Sequence, residues 1–125
     1  MEKILLVDDE PDVLSSIRES LESQGYEVLT AQNGISALEL IRNEVPRLIL
    51  LDLMLPGLDG YRILKLLKGD QRYREIPVIV ITARADTQDL TLAMECGAES
   101  YFVKPLKVDA LVNRILHLFL EGKMA

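Results

Sequence analysis

A chain of 125 residues, 49% apolar and 27% charged, is long enough for one domain with its own core and too apolar for a disordered segment. Its formal net charge of −6 argues against direct nucleic-acid binding, because a phosphate backbone needs a basic surface; such contact would fall to another domain. A single cysteine, Cys96, excludes an intramolecular disulfide and suits a reducing cytoplasm, and no apolar run reaches the roughly 18 residues of a membrane span.

The N-terminus passes from Met1-Glu2-Lys3 straight into Ile4–Val7. That run is too short for a signal peptide, so a cytoplasmic protein with nothing removed is expected. Ile4–Val7 reads as a first strand and ends in Asp8-Asp9-Glu10. Pro11 then stands at a first helical position, and Val13, Leu14, Ile17 and Leu21 share one helix face. A second strand, Val28–Ala31, ends in Gln32-Asn33-Gly34 and leads to a helix with Ala37, Leu38 and Ile41 inward.

Leu48–Leu51 reads as the third strand and ends on Asp52; Tyr61, Leu64 and Leu67 mark the next helix. The 68–75 stretch makes a long connection to the fourth strand, Val78–Ile81, which ends in Thr82-Ala83. Leu90, Ala93 and Met94 mark a fourth helix stopped at Cys96-Gly97, where glycine ends helices well. Tyr101–Val103 is the fifth strand, ending in Lys104-Pro105, and Leu111, Val112, Ile115, Leu116 and Phe119 mark the last helix.

Three of the apolar runs are nearly continuous rather than alternating, which suits strands buried on both faces. Strand and helix alternate five times, which implies an α/β fold: a parallel sheet with helices on both faces and right-handed crossovers. Such sheets bind ligands outside the carboxyl ends of their strands.

Four of the five strand ends carry polar groups there: Asp8 and Asp9, Asp52, Thr82, and Lys104. Each has an ordinary structural role open to it. Asp52 could cap a helix or make a turn, Asp8-Asp9-Glu10 could cap the first helix, Thr82 could cap the next segment, and Lys104 could be a solvated loop residue. Together they suggest more. Three carboxylates at one rim resist ionising together unless a hard cation such as Mg²⁺ sits among them. Lys104 suits a phosphoryl oxygen, Thr82 offers a hydroxyl, and a carboxylate can attack phosphorus.

The ordered set Ile4-Leu5-Leu6-Val7-Asp8-Asp9-Glu10, Asp52-Leu53-Met54-Leu55-Pro56-Gly57-Leu58-Asp59-Gly60, Pro77-Val78-Ile79-Val80-Ile81-Thr82-Ala83, Gly97-Ala98 and Tyr101-Phe102-Val103-Lys104-Pro105 resembles the receiver domain of two-component response regulators. The resemblance runs from about Lys3 to Leu120. It implies a single receiver domain over 1–125 with a flavodoxin-like, doubly wound five-stranded parallel sheet, (βα)5, in strand order 2-1-3-4-5.

It further implies that Asp52 accepts a phosphoryl group from a sensor histidine kinase or a histidine phosphotransfer protein. Mg²⁺ would be bound directly by Asp9, Asp52 and the backbone carbonyl of Met54, and by Asp8 mainly through water. Lys104 would bridge to the phosphoryl group, Thr82 would move to bond it, and Tyr101 would swing inward behind Thr82. The face of the fourth helix, fifth strand and fifth helix would change for a downstream effector or output domain. A homodimer formed on phosphorylation is compatible with this.

By the same resemblance, Met54 and Arg84 stand where attacking water is tuned, and Pro56, Gly57 and Gly60 shape the loop beneath the site. The long 68–75 connection looks more like stand-alone or nucleotide-cyclase-linked regulators than winged-helix transcription factors. His117, the only histidine, is expected at the surface rather than as a phosphodonor.

The domain is therefore expected to be a phosphoacceptor switch rather than an enzyme. One alternative is a degenerate receiver acting as a phosphorylation-independent docking module. Another is a phosphatase of the haloacid-dehalogenase kind, disfavoured because its nucleophile would follow the first strand. A nucleotide or flavin binder is weaker still, since no G-x-G-x-x-G or P-loop pattern occurs.

Overall fold

The computed structural model describes residues 2–83 and 86–121, so Arg84 lies outside the described residues. Ten elements alternate along the chain: β1 (Lys3–Val7), α1 (Pro11–Ser23), β2 (Glu27–Ala31), α2 (Gly34–Glu44), β3 (Leu48–Asp52), α3 (Gly60–Lys68), β4 (Val78–Thr82), α4 (Thr87–Glu95), β5 (Ser100–Val103) and α5 (Val108–Leu120). All strand pairs are parallel, in the order β2-β1-β3-β4-β5 expected from the sequence.

The buried runs form the centre of the sheet. Ile4–Val7 of β1 and all of β3 and β4 are buried, because helices cover both faces there. Strand residues alternate between two cores. Leu5, Val7, Ile49 and Leu51 pack with α2, α3 and α4; Ile4, Leu6, Leu48 and Leu50 pack with α1 and α5. β3 and β4 each run one residue further than the apolar pattern suggests. Asp52 and Thr82 are thus the last residues of their ladders, Asp52 beside Ile81 and Thr82 beside Val103.

Local chemistry sets the helix starts. Pro11 occupies the first turn of α1, where its missing N–H is no loss. Side-chain oxygens of Asn33, Asp59 and Asp86 accept N–H bonds from Ser36, Tyr61 and Gln88 at 2.8–2.9 Å and so cap α2, α3 and α4. The 69–77 connection is folded back on α3: Lys68 Nζ donates to the carbonyls of Arg74 and Ile76 at 3.1 and 2.7 Å.

Three helix faces differ from the periodicity. In α4 only Ala93 is buried, and Met94, expected inside, is 43% exposed. In α5 Leu118 is buried where Leu116 was expected, and Leu116 is 44% exposed. In α3 the fully buried residues include Ile63, while Tyr61 is only half-buried and its hydroxyl donates to the Asp89 carbonyl of α4 at 3.0 Å.

Gly60 fixes where α3 meets the sheet. A Cβ there would lie 2.5 Å from Leu53 Cα and 2.7 Å from the Asp52 carbonyl oxygen, and the Gly60 N–H already bonds Leu53 O at 3.2 Å. Backbone cannot yield as a flexible side chain would. Gly60→Ala is therefore expected to lower stability by about 2 kcal/mol in urea denaturation. An unchanged midpoint would mean that α3 can back away from β3 at no cost.

Candidate functional site

The carboxyl ends of β1, β3, β4 and β5 bring the sequence-predicted residues to one rim. Asp8 leaves β1 fully buried, and its Oδ1 accepts the Glu10 N–H at 2.9 Å, a turn that aims the chain into α1. Asp52, 3% exposed, holds the Met54 N–H on Oδ1 at 2.9 Å. Thr82 is 1% exposed at the end of β4, and its carbonyl accepts the Lys104 N–H at 2.8 Å. Lys104 begins the cis Lys104–Pro105 peptide just past β5.

Lys104 is the hub. Its Nζ lies 2.7 Å from Glu10 Oε1, 2.9 Å from Asp8 Oδ2 and 3.1 Å from Asp52 Oδ2. The approach to Asp8 is close enough for an ion pair but outside hydrogen-bond geometry, so Asp8 Oδ2 is buried with its charge countered and no hydrogen bond made. Burial pulls the Lys104 ammonium down, but the Glu10, Asp8 and Asp52 carboxylates outweigh it and hold its pKa well above the ordinary lysine range. For Asp52, burial dominates and raises the carboxyl pKa, with the Asp8 charge adding to it; the Met54 N–H and Lys104 oppose this without cancelling it.

Four carboxylates, those of Asp8, Asp9, Glu10 and Asp52, offer oxygens within 4.8 Å of one another. One lysine cannot neutralise all four. Hard oxygen donors, excess negative charge and the unbonded Asp8 Oδ2 fit a divalent cation of the Mg²⁺ type. Within this group Asp9 and Glu10 are exposed, and the Met54 side chain nearby in sequence is 51% exposed.

Two residues stand apart from the buried rim. Tyr101 is 41% exposed and lines a concavity of about 510 Å³ with Thr87, Leu90, Thr91, Met94 and Glu95, on the outer side of β5. His117 is exposed on α5. Gly57 takes φ +81° in the loop after β3, a conformation that suits glycine.

Sequence reasoning had no role for Glu10 beyond its place in the acidic run. The structure gives it the shortest contact to Lys104, across 94 residues of chain. Its position two after Asp8 and one before a helix-starting proline was the only available signal.

The family model of the response regulator receiver domain matches residues 4–116. The chain is 37% identical over 123 residues to the transcriptional regulatory protein AfsQ1 of Streptomyces coelicolor, covering 98% of this chain and 53% of that protein. It spans about half the length of the curated relatives it matches. Among solved structures it is similar to a Francisella response regulator 1452 receiver domain, with TM-score 0.90 and 30% identity over 98% of this chain and 99% of that one. It is also similar to the Mn²⁺-bound form of response regulator Rcp1, with TM-score 0.81 and 27% identity over 94% of this chain and 91% of that one. The 68–76 stretch is a packed turn over buried Tyr73 and Ile76. No helix of the described residues is long and apolar enough to cross a membrane.

Proposed function

The chain belongs to the response regulator receiver domain family, and on that footing we propose that Asp52 accepts a phosphoryl group from a histidine kinase or histidine phosphotransfer protein. The observation that carries the reading is the contact of Lys104 Nζ with Asp52 Oδ2 at 3.1 Å inside a four-carboxylate rim. A carboxylate oxygen of Asp52 attacks phosphorus, an acyl–phosphate bond forms, and the bond to the donor imidazole breaks. Lys104 then neutralises a phosphoryl oxygen from a position already fixed by Glu10 and Asp8.

Asp8, Asp9, Asp52 and the Met54 carbonyl would hold Mg²⁺, which when bound supplies the positive charge that lets the carboxylates and the phosphoryl oxygens share one site. That the related Rcp1 was solved in a Mn²⁺-bound form supports a divalent cation here. The donor approaches beside Lys104, where a groove of about 500 Å³ is lined by Val13, Ser16, Ile17, Pro105 and Leu106.

Thr82 turns toward the phosphoryl oxygens, and Tyr101 moves inward from its exposed position. The face of α4, β5 and α5 changes as a result, for an effector, an output domain or a second copy of the chain. The site itself is a signalling switch rather than a turnover enzyme. Nucleic-acid contact belongs to another domain, because this one is acidic.

Acetyl phosphate with Mg²⁺ is expected to add one phosphoryl mass to the intact chain, and borohydride trapping with peptide mapping to place it on Asp52. No adduct would instead support a phosphorylation-independent docking module, an adduct elsewhere would remove Asp52 from the role, and a Mg²⁺-independent adduct would remove the metal from the reaction.

A further inference from the structure

Opposite the acidic rim the charge changes sign. Five of the chain's 14 lysines and arginines fall between Arg62 and Arg74, against one acid, Asp70, in a chain of net charge −6. Arg62, Lys65, Arg72 and Arg74 are exposed, as is Arg42 on the neighbouring α2. Of these, Arg42 and Arg72 line a groove of about 250 Å³ between the C-terminal halves of α2 and α3. Its floor is apolar: Ile41, Leu67 and Tyr73 are buried, Leu38 is half-buried, and Leu66 stands 54% exposed on the lip.

Arg72 is pre-set for a ligand. Nε and Nη2 bond the two oxygens of Asp70 at 3.1 and 2.8 Å, and the guanidinium lies 4.9 Å from the Tyr73 ring centroid. Two of its five N–H bonds are used on Asp70. The outer edge, Nη1 with the second Nη2 hydrogen, is not engaged by Asp70 and matches a second carboxylate. A guanidinium held this way loses little freedom on binding, so the pairing is stronger than with a mobile lysine.

We propose that the α2–α3 groove docks an acidic amphipathic segment of a partner protein. Its leucine-like side chains would enter between Leu38 and Leu66, and its carboxylates would pair with Arg42 and Arg72. The groove holds two or three apolar side chains and is smaller than the roughly 300 Å³ at which small-molecule sites begin. A nucleic acid fits less well. The centre of the patch is apolar rather than cationic, which suits leucine-like side chains and not a phosphate backbone. The groove lies at the end of the sheet away from Asp52, so an occupant leaves the carboxylate rim open.

The test uses the full ¹⁵N-labelled chain and a synthetic peptide with glutamate and leucine at helical spacing. Amide shifts are expected at Leu38, Arg42, Leu66 and Arg72, and affinity falls with added salt. Arg42→Glu with Arg72→Glu, and separately Leu66→Ser, each weaken binding about tenfold or more. Both variants still take a phosphoryl group from acetyl phosphate, which shows that they are folded. Several results would overturn the proposal: no shifts in the groove, equal binding of a peptide with lysine in place of glutamate, unchanged affinity in the variants, or tighter binding of a short DNA duplex.

Discussion

Asp52→Asn is expected to take no phosphoryl group from acetyl phosphate and to melt at a higher temperature than the parent in metal-free buffer at neutral pH. With Asp52 as the proposed nucleophile, its loss would remove the acyl phosphate outright. The gain in stability comes from the same burial that positions Asp52. Its folded pKa lies above its ordinary value, so its contribution to the fold is fully present below that ordinary value and is lost as pH rises through the raised one. At neutral pH the ionised carboxylate, 3% exposed and beside Asp8, is a net cost.

Asparagine keeps the acceptor for the Met54 N–H but gives up the Oδ2 acceptor of the Lys104 bond, so the gain is the relief of burying a charge beside Asp8 less the loss of that bond. The expected rise is on the order of 4 °C for a chain of this size. It should shrink as pH falls toward 4, and Mg²⁺ should stabilise the parent far more than the variant. Thermal melts across pH, with EDTA and with Mg²⁺, check this. A lower melting temperature at neutral pH would contradict the electrostatic account of the site.

Lys104→Met should do the opposite to stability while also disabling the chemistry. It leaves the carboxylates of Asp8 and Asp52 buried without their cation, a loss of about 3 kcal/mol in urea denaturation. The folded pKa of Lys104 is raised, so its contribution is fully present below the ordinary lysine value and is lost only as pH rises through the higher one. The titration of Lys104 therefore leaves the deficit unchanged up to about pH 9, and it shrinks towards acid pH as Asp52, raised further without the lysine, takes up a proton. Mg²⁺ restores much of the stability by replacing the missing charge. It does not restore the rate of phosphoryl capture, which falls about 100-fold or more with the loss of a fixed cation at the reacting oxygens. A variant as stable as the parent in EDTA would show that Lys104 does not counter the buried acids.

The fold and the rim were largely legible because both depend on one-dimensional signals. Continuous apolar runs mark strands covered on both faces, and a polar residue at the end of each such run must sit at the carboxyl edge of the sheet. Asp8, Asp52, Thr82 and Lys104 are all found there. What escaped depends on distance between elements. Helical spacing shows which residues share a face, not how near that face lies to the sheet, so Met94 looked like core and is exposed. Leu116 and Leu118 differ by a rotation that only packing decides. The Glu10–Lys104 contact joins positions 94 residues apart and leaves no local trace.

Lifting a helix off the sheet costs what it buries. α1 and α5 each bury three large side chains, worth roughly 5–9 kcal/mol by area, whereas α4 buries only the methyl group of Ala93 and part of Leu90, roughly 1–2 kcal/mol. One new charge-assisted hydrogen bond contributes about 1.5–3 kcal/mol. That is enough to reset α4 and too little to dislodge its neighbours, so a single group added at the rim has one helix within its energetic reach.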